Sequence, residues 1–92
     1  MEMRKAFGQA LRMARKSKGI SQEDLSDVSS RTYVSALERG IQSPTLEKID
    51  QLATELGIHG LTLIAAAFAR RDATSVDDLL AKIRTEIDEL QL

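Results

Sequence analysis

Apolar residues at Phe7, Ala10, Leu11 and Ala14 recur at helical spacing, while Arg4, Arg12, Arg15 and Lys16 fall largely elsewhere on the wheel. That pattern predicts a first amphipathic helix whose basic side chains form a solvated face, with Lys5 or Arg12 placed to add a contact to a polyanion at the rim. A basic last turn followed by Gly19 fits a left-handed C-cap. Ser21 then offers an N-cap, Asp24 is a short-armed capping-box acid, and Ile20 can staple onto Leu25, so a short second helix is expected from Ser21 to about Asp27. Val28-Ser29-Ser30 should break it in a tight turn, since serine hydroxyls compete for backbone hydrogen bonds, with Val28 plugging the core at the bend.

Ser30 caps a third helix, Arg31 to Arg39, that stops at Gly40. At about 100° per residue its wheel splits: Tyr33, Val34 and Leu37 fall on one side, and Arg31, Thr32, Ser35 and Arg39 cluster on the other. The second face is small, polar and rich in hydrogen-bond donors. After a loop from Ile41 to Pro44, Thr45 caps a fourth helix with Leu46, Ile49, Leu52, Ala53 and Leu56 in register until Gly57. A fifth helix, Leu61 to Ala69, is apolar nearly all round and must be buried against the domain, another subunit, or both. Arg70 to Thr74 is a polar link, and Ser75 with Asp77 and Asp78 starts a last helix reaching about Leu90. Its stripe of Leu80, Ile83, Ile87 and Leu90 has the spacing of a short coiled-coil seam.

Ninety-two residues suffice for one small domain with a modest core. Without cysteine, neither a disulfide framework nor a thiolate metal site is available, which suits the cytoplasm. No signal-like start and no apolar run long enough for a bilayer are present, so a soluble, unsecreted protein is expected. Catalytic residues are not expected: there is no cysteine nucleophile, no histidine–serine pattern and no glycine-rich phosphate loop. His59 is the single histidine and follows a helix end, which favours capping over a metal site; no cofactor or metal is expected.

The net charge of -1 hides an asymmetry. Residues 1–40 carry eight basic against five acidic side chains, whereas residues 41–92 carry five against nine. One end of the chain is suited to a polyanion and the other to solvent or a partner. Two short helices joined by a tight turn, the second with a compact polar face, make the geometry that lets one helix enter the major groove while the other crosses the backbone.

The stretch Ser21-Gln22-Glu23-Asp24-Leu25, the block Arg31-Thr32-Tyr33-Val34-Ser35-Ala36-Leu37-Glu38-Arg39-Gly40, and the following Ser43-Pro44-Thr45-Leu46 and Leu52-Ala53 resemble the lambda-repressor-like (Xre) helix-turn-helix family. The resemblance spans about residues 3–69. It implies an all-α fold, a five-helix DNA-binding domain over residues 1–71 plus an additional C-terminal amphipathic helix over residues 72–92 for dimerisation or packing. It also implies base contacts from Arg31, Thr32 and Ser35, with Ala36 beside them near a thymine methyl, and contacts to the DNA backbone from Gln22, Arg39, Gln42 and Ser43. Gln22 would also brace the recognition helix. Tyr33 is read as a partly buried aromatic whose hydroxyl reaches a phosphate, and Glu38 as a structural acid that holds Arg39 or Arg31. The chain departs from the family pattern at Ser26 to Ser30, where fewer residues than usual separate the two helices and an unusual turn is expected.

The function so implied is a sequence-specific, double-stranded DNA-binding regulator, a repressor or autoregulatory controller, acting as a homodimer on an inverted repeat. Leu61, Ile64 and Phe68 of the fifth helix and Leu80, Ile83 and Ile87 of the last supply candidate dimer contacts. An alternative is an antitoxin whose acidic C-terminal helix occupies a basic toxin while the same chain binds its promoter. A helical adaptor without DNA binding would leave Arg31 and Arg39 without a purpose.

Overall fold

The computed structural model describes residues 1–27 and 30–92; the expected core contact of Val28 lies outside the described residues. Among the described residues five α-helices follow in the order α1 (Met3–Ser17), α2 (Arg31–Glu38), α3 (Leu46–Glu55), α4 (Gly60–Asp72) and α5 (Val76–Leu90), with a 3-10 turn, Asp24–Asp27, between α1 and α2. α1 packs on α2 and α4, and α4 in turn packs on α3 and α5.

Local chemistry sets most boundaries. Ser30, Thr45 and Ser75 each accept a hydrogen bond from the amide three residues on, at 3.1 Å, which satisfies an otherwise orphaned donor at the starts of α2, α3 and α5. His59 caps α4 through Nδ1, which accepts from the Leu61 amide at 2.9 Å. α4 continues to Asp72, through much of the segment expected to be a link, and closes on Ala73 in the left-handed region at φ 51.

The second helix expected from the sequence is a single 3-10 turn. Ser21 Oγ accepts from the Asp24 amide at 3.1 Å and Asp24 Oδ2 accepts from the Ser21 amide at 2.8 Å, the reciprocal pair anticipated there. Among the described residues the element runs for four residues only, and short pieces of this kind close as 3-10 turns.

The core is aliphatic apart from Phe7. Leu11, Leu25, Val34, Leu37, Leu52, Leu56 and Leu63 are fully buried, each contributing about 2 kcal/mol by removal from water. They draw α1, the 3-10 turn, α2, α3 and α4 around one centre, which Ile20 and Tyr33 flank as half-buried residues. α5 contributes no buried residue.

Candidate nucleic-acid interface

α2 presents two unlike faces. Val34 and Leu37 have no exposed surface, whereas Arg31, Thr32 and Arg39 are exposed and Ser35 is half-buried. Gln22, Arg31, Thr32, Ser35 and Arg39 line one shallow concavity, so the side chains expected to share a face do so. Gln42 and Ser43 are exposed in the loop that follows. Arg39 Nε lies 3.4 Å from the Ser35 carbonyl oxygen, a long contact. Tyr33 is half-buried beside the core, with the Lys48 ammonium 5.8 Å from its ring centre.

Ala36 lies at the edge of this face and is largely covered. It is only 6% exposed, which leaves little methyl surface for a base. On the wheel it stands about 40° from Thr32 and about 60° from both Arg39 and Tyr33, at the edge where the polar face meets the packed one. That small area is all it offers to a thymine methyl.

α2 is fixed from behind by a polar clamp. Arg15 Nε donates to Glu38 Oε2 at 2.7 Å and Arg15 Nη2 donates to Glu38 Oε1 at 2.9 Å, a two-pronged pair of the strong, charge-assisted kind. Arg15 Nη1 donates to the Ile20 carbonyl at 3.0 Å, and Gln22 Nε2 donates to Glu38 Oε1 at 3.1 Å. The side chains of Arg15 and Glu38 are 11% and 5% exposed. Hydrogen bonding to Glu38 raises the Arg15 pKa above its already high ordinary value, so the guanidinium stays charged.

Glu38 thus has the structural task expected of it but a different partner. It pairs with Arg15, while Arg31 pairs with Glu23 at 3.2 Å across the exposed surface. Arg15 leaves the solvated face to which sequence periodicity assigned it. Its position four residues after the buried Leu11, on the packed side of α1, was the available signal.

Gly8, unremarked in the sequence, is the second positioning device. A Cβ there would stand 2.5 Å from the Leu37 carbonyl oxygen and 2.6 Å from that of Glu38, so the backbones of α1 and α2 meet where a side chain would keep them apart. At the far side of the loop, Arg4 Nη1 donates to the Ile41 carbonyl at 3.2 Å.

Of the expected dimer residues, Leu61, Leu80 and Ile87 are 52%, 44% and 43% exposed. Ile64, Phe68 and Ile83 are half-buried; Ile64 packs on the core, and Phe68 carries the Arg71 guanidinium 4.6 Å from its ring centre. Leu61, Ala65 and Ala66 of α4 join Val76 and Leu80 of α5 in an apolar groove.

A short polar helix held outward by a buried clamp, preceded by a tight turn and backed by a helical core, is the architecture of a DNA-binding helix-turn-helix module. The chain belongs to the lambda-repressor-like (Xre) helix-turn-helix family, whose helix-turn-helix profile matches residues 11–63. An HTH-type transcriptional regulator of Sinorhizobium fredii (strain NBRC 101917 / NGR234), y4dJ, is 38% identical over 66 residues, covering 70% of this chain and 86% of that protein. The crystal structure of the restriction-modification controller protein C.AhdI from Aeromonas hydrophila superposes with a TM-score of 0.61 at 44% identity. The match covers 65% of this chain and 94% of C.AhdI, so about a third of this chain lies outside it.

Proposed function

We propose that this chain is a cytoplasmic, sequence-specific regulator that binds an inverted repeat in duplex DNA as a homodimer and acts as a repressor or autoregulatory controller. One observation carries the reading: the open face of α2 gathers Arg31, Thr32, Ser35 and Arg39 while its other face is locked into the core and clamped by Arg15 and Glu38. Such a helix enters the major groove as a rigid body. Arg31, at its first turn, is assigned to a guanine, whose O6 and N7 match the guanidinium fork. Thr32 and Ser35 lie beside it, and the small Ser35 allows close approach. Gln22, Tyr33, Arg39, Gln42 and Ser43 are assigned to the DNA backbone, where they set register rather than sequence.

Dimerisation rests on α5. An amphipathic helix with no buried residue leaves an apolar stripe in water, continuous through Val76 and Leu80 with Leu61 on α4. A second copy related by a two-fold axis covers it and matches the symmetry of an inverted repeat. The likeness to a restriction-modification controller protein favours the autoregulatory form.

Selection of bound sequences from random duplex, combined with the mass of the protein in solution, tests the proposal. The expected result is a two-fold symmetric site with half-sites about one helical turn apart and a dimer mass. Failure to enrich any sequence at low salt removes the DNA-reading assignment. A monomer that captures a small basic protein through α5 replaces the homodimer with the antitoxin reading.

A further inference from the structure

We propose that Glu23, without touching a base, sharpens the sequence preference of Arg31 by holding its guanidinium in place as a duplex closes over it. The inference rests on the reading that Arg31 contacts a base. Arg31 Nη1 donates to Glu23 Oε1 at 3.2 Å, and the two side chains are 67% and 71% exposed. With Arg15, Ser21 and Gln22 they line a concavity that adjoins the one formed by Gln22, Arg31, Thr32, Ser35 and Arg39.

A carboxylate on this surface needs an explanation. Approach to phosphates penalises a bare negative charge, and basic side chains carry affinity for DNA. The neighbours of Glu23 all have local tasks: Ser21 and Asp24 cap each other, Gln22 braces Glu38, and Leu25 fills the core. Glu23 has Arg31.

In water such an exposed pair holds little free energy, because both side chains are solvated and mobile. Exclusion of water by a bound duplex lowers the local dielectric and strengthens the same contact. Glu23 uses only Nη1. Among the described residues Arg31 has no other hydrogen-bond partner, which leaves its Nε and Nη2 donors for guanine O6 and N7. A guanidinium already held at one corner loses less conformational freedom on meeting the base, so the correct base pair benefits and a wrong one does not.

The test compares wild type, Glu23→Ala, Arg31→Ala and the double variant on three duplexes: the selected operator, the operator changed at the base pair whose preference Arg31→Ala relaxes, and random sequence. Thermal unfolding controls for folding. Glu23→Ala is expected to lower preference for the operator over its base-changed form about tenfold, a fraction of what a bidentate pair supplies. Affinity for random duplex is expected to stay level or rise, and the double variant to be no less selective than Arg31→Ala alone. Selective loss from Arg31→Ala, with a uniform change or none from Glu23→Ala, overturns the role of Glu23 and leaves the base contact standing. An unchanged preference profile for Arg31→Ala overturns both.

Discussion

Arg15 and Glu38, 23 residues apart, join the last turn of α1 to the last residue of α2 through two charge-assisted hydrogen bonds of 2.7 and 2.9 Å. Ile20 and Gln22 occupy remaining positions on the pair. Among the described residues no buried side-chain nitrogen or oxygen lacks a partner. The buried polar network is thus complete, the condition under which such a group specifies one arrangement of the chain.

Removing one member of that pair should be costly. Glu38→Ala leaves a largely buried guanidinium without its counter-charge and is expected to lower stability by about 3 kcal/mol. Replacing both residues by methionine should recover much of the loss while loosening the orientation of α2. Urea unfolding measures the first effect, and a loss below about 1 kcal/mol would refute it.

Gly8→Ala should destabilise although alanine is the better helix former. The new methyl would meet two backbone carbonyls at 2.5 and 2.6 Å, atoms that cannot swing aside as a side chain can. A cost of about 2 kcal/mol is expected, together with weaker DNA binding as α2 is pushed from its seat. Stability equal to wild type would mean that the two helices are further apart.

Ala73→Gly should stabilise. Ala73 closes α4 at φ 51, where an L residue with a Cβ is disfavoured, and glycine relieves that crowding. The expected gain is about 1 kcal/mol, reduced by the greater freedom of glycine in the unfolded chain. An unchanged or lower thermal midpoint would contradict it.

On DNA, Arg31→Ala should cost about 1–3 kcal/mol on the selected operator and relax preference at one base pair, whereas Gln22→Ala should weaken all sequences similarly. Equal losses from Arg31→Ala on operator and random duplex would move Arg31 from base to phosphate.

Acid should erode the cap before α2. Hydrogen bonds from the Ser21 amide and hydroxyl hold the Asp24 pKa below its ordinary value. The corresponding stabilisation is complete above the unfolded carboxylate pKa of about 3.9 and is lost as pH falls through the lower folded value. Asp24→Asn should therefore flatten the acid limb of the thermal stability curve; an unaltered limb would show that the cap contributes nothing there.

Much of the fold was legible because its determinants are local. Ser30, Thr45 and Ser75 as caps, Gly40 and Gly57 as stops, and periodic apolar residues between them place α2, α3 and α5 closely. The 3-10 turn has the cap of a helix, and such a cap marks where an element begins without fixing how far it runs. The open face of α2 is likewise written in its own period, with Ala36 at its edge packed more deeply than the period alone indicates. Arg15, Gly8 and Glu23 were not legible in their roles, since each is defined by a partner at a distance in sequence: Glu38, the carbonyls of residues 37 and 38, and Arg31. A wheel drawn for α1 places Arg15 about 40° from Leu11 and so at the packed side, but it does not name Glu38 as the partner.

The unburied stripe of α5 bears on dosage. If the DNA-competent species is the pair, then while single chains predominate a doubling of synthesis raises that species about fourfold, by mass action. Scarce protein would leave its target almost untouched and modestly more would fill it. A helix that cannot hide its own leucines would in this way turn a gradual rise in expression into a threshold.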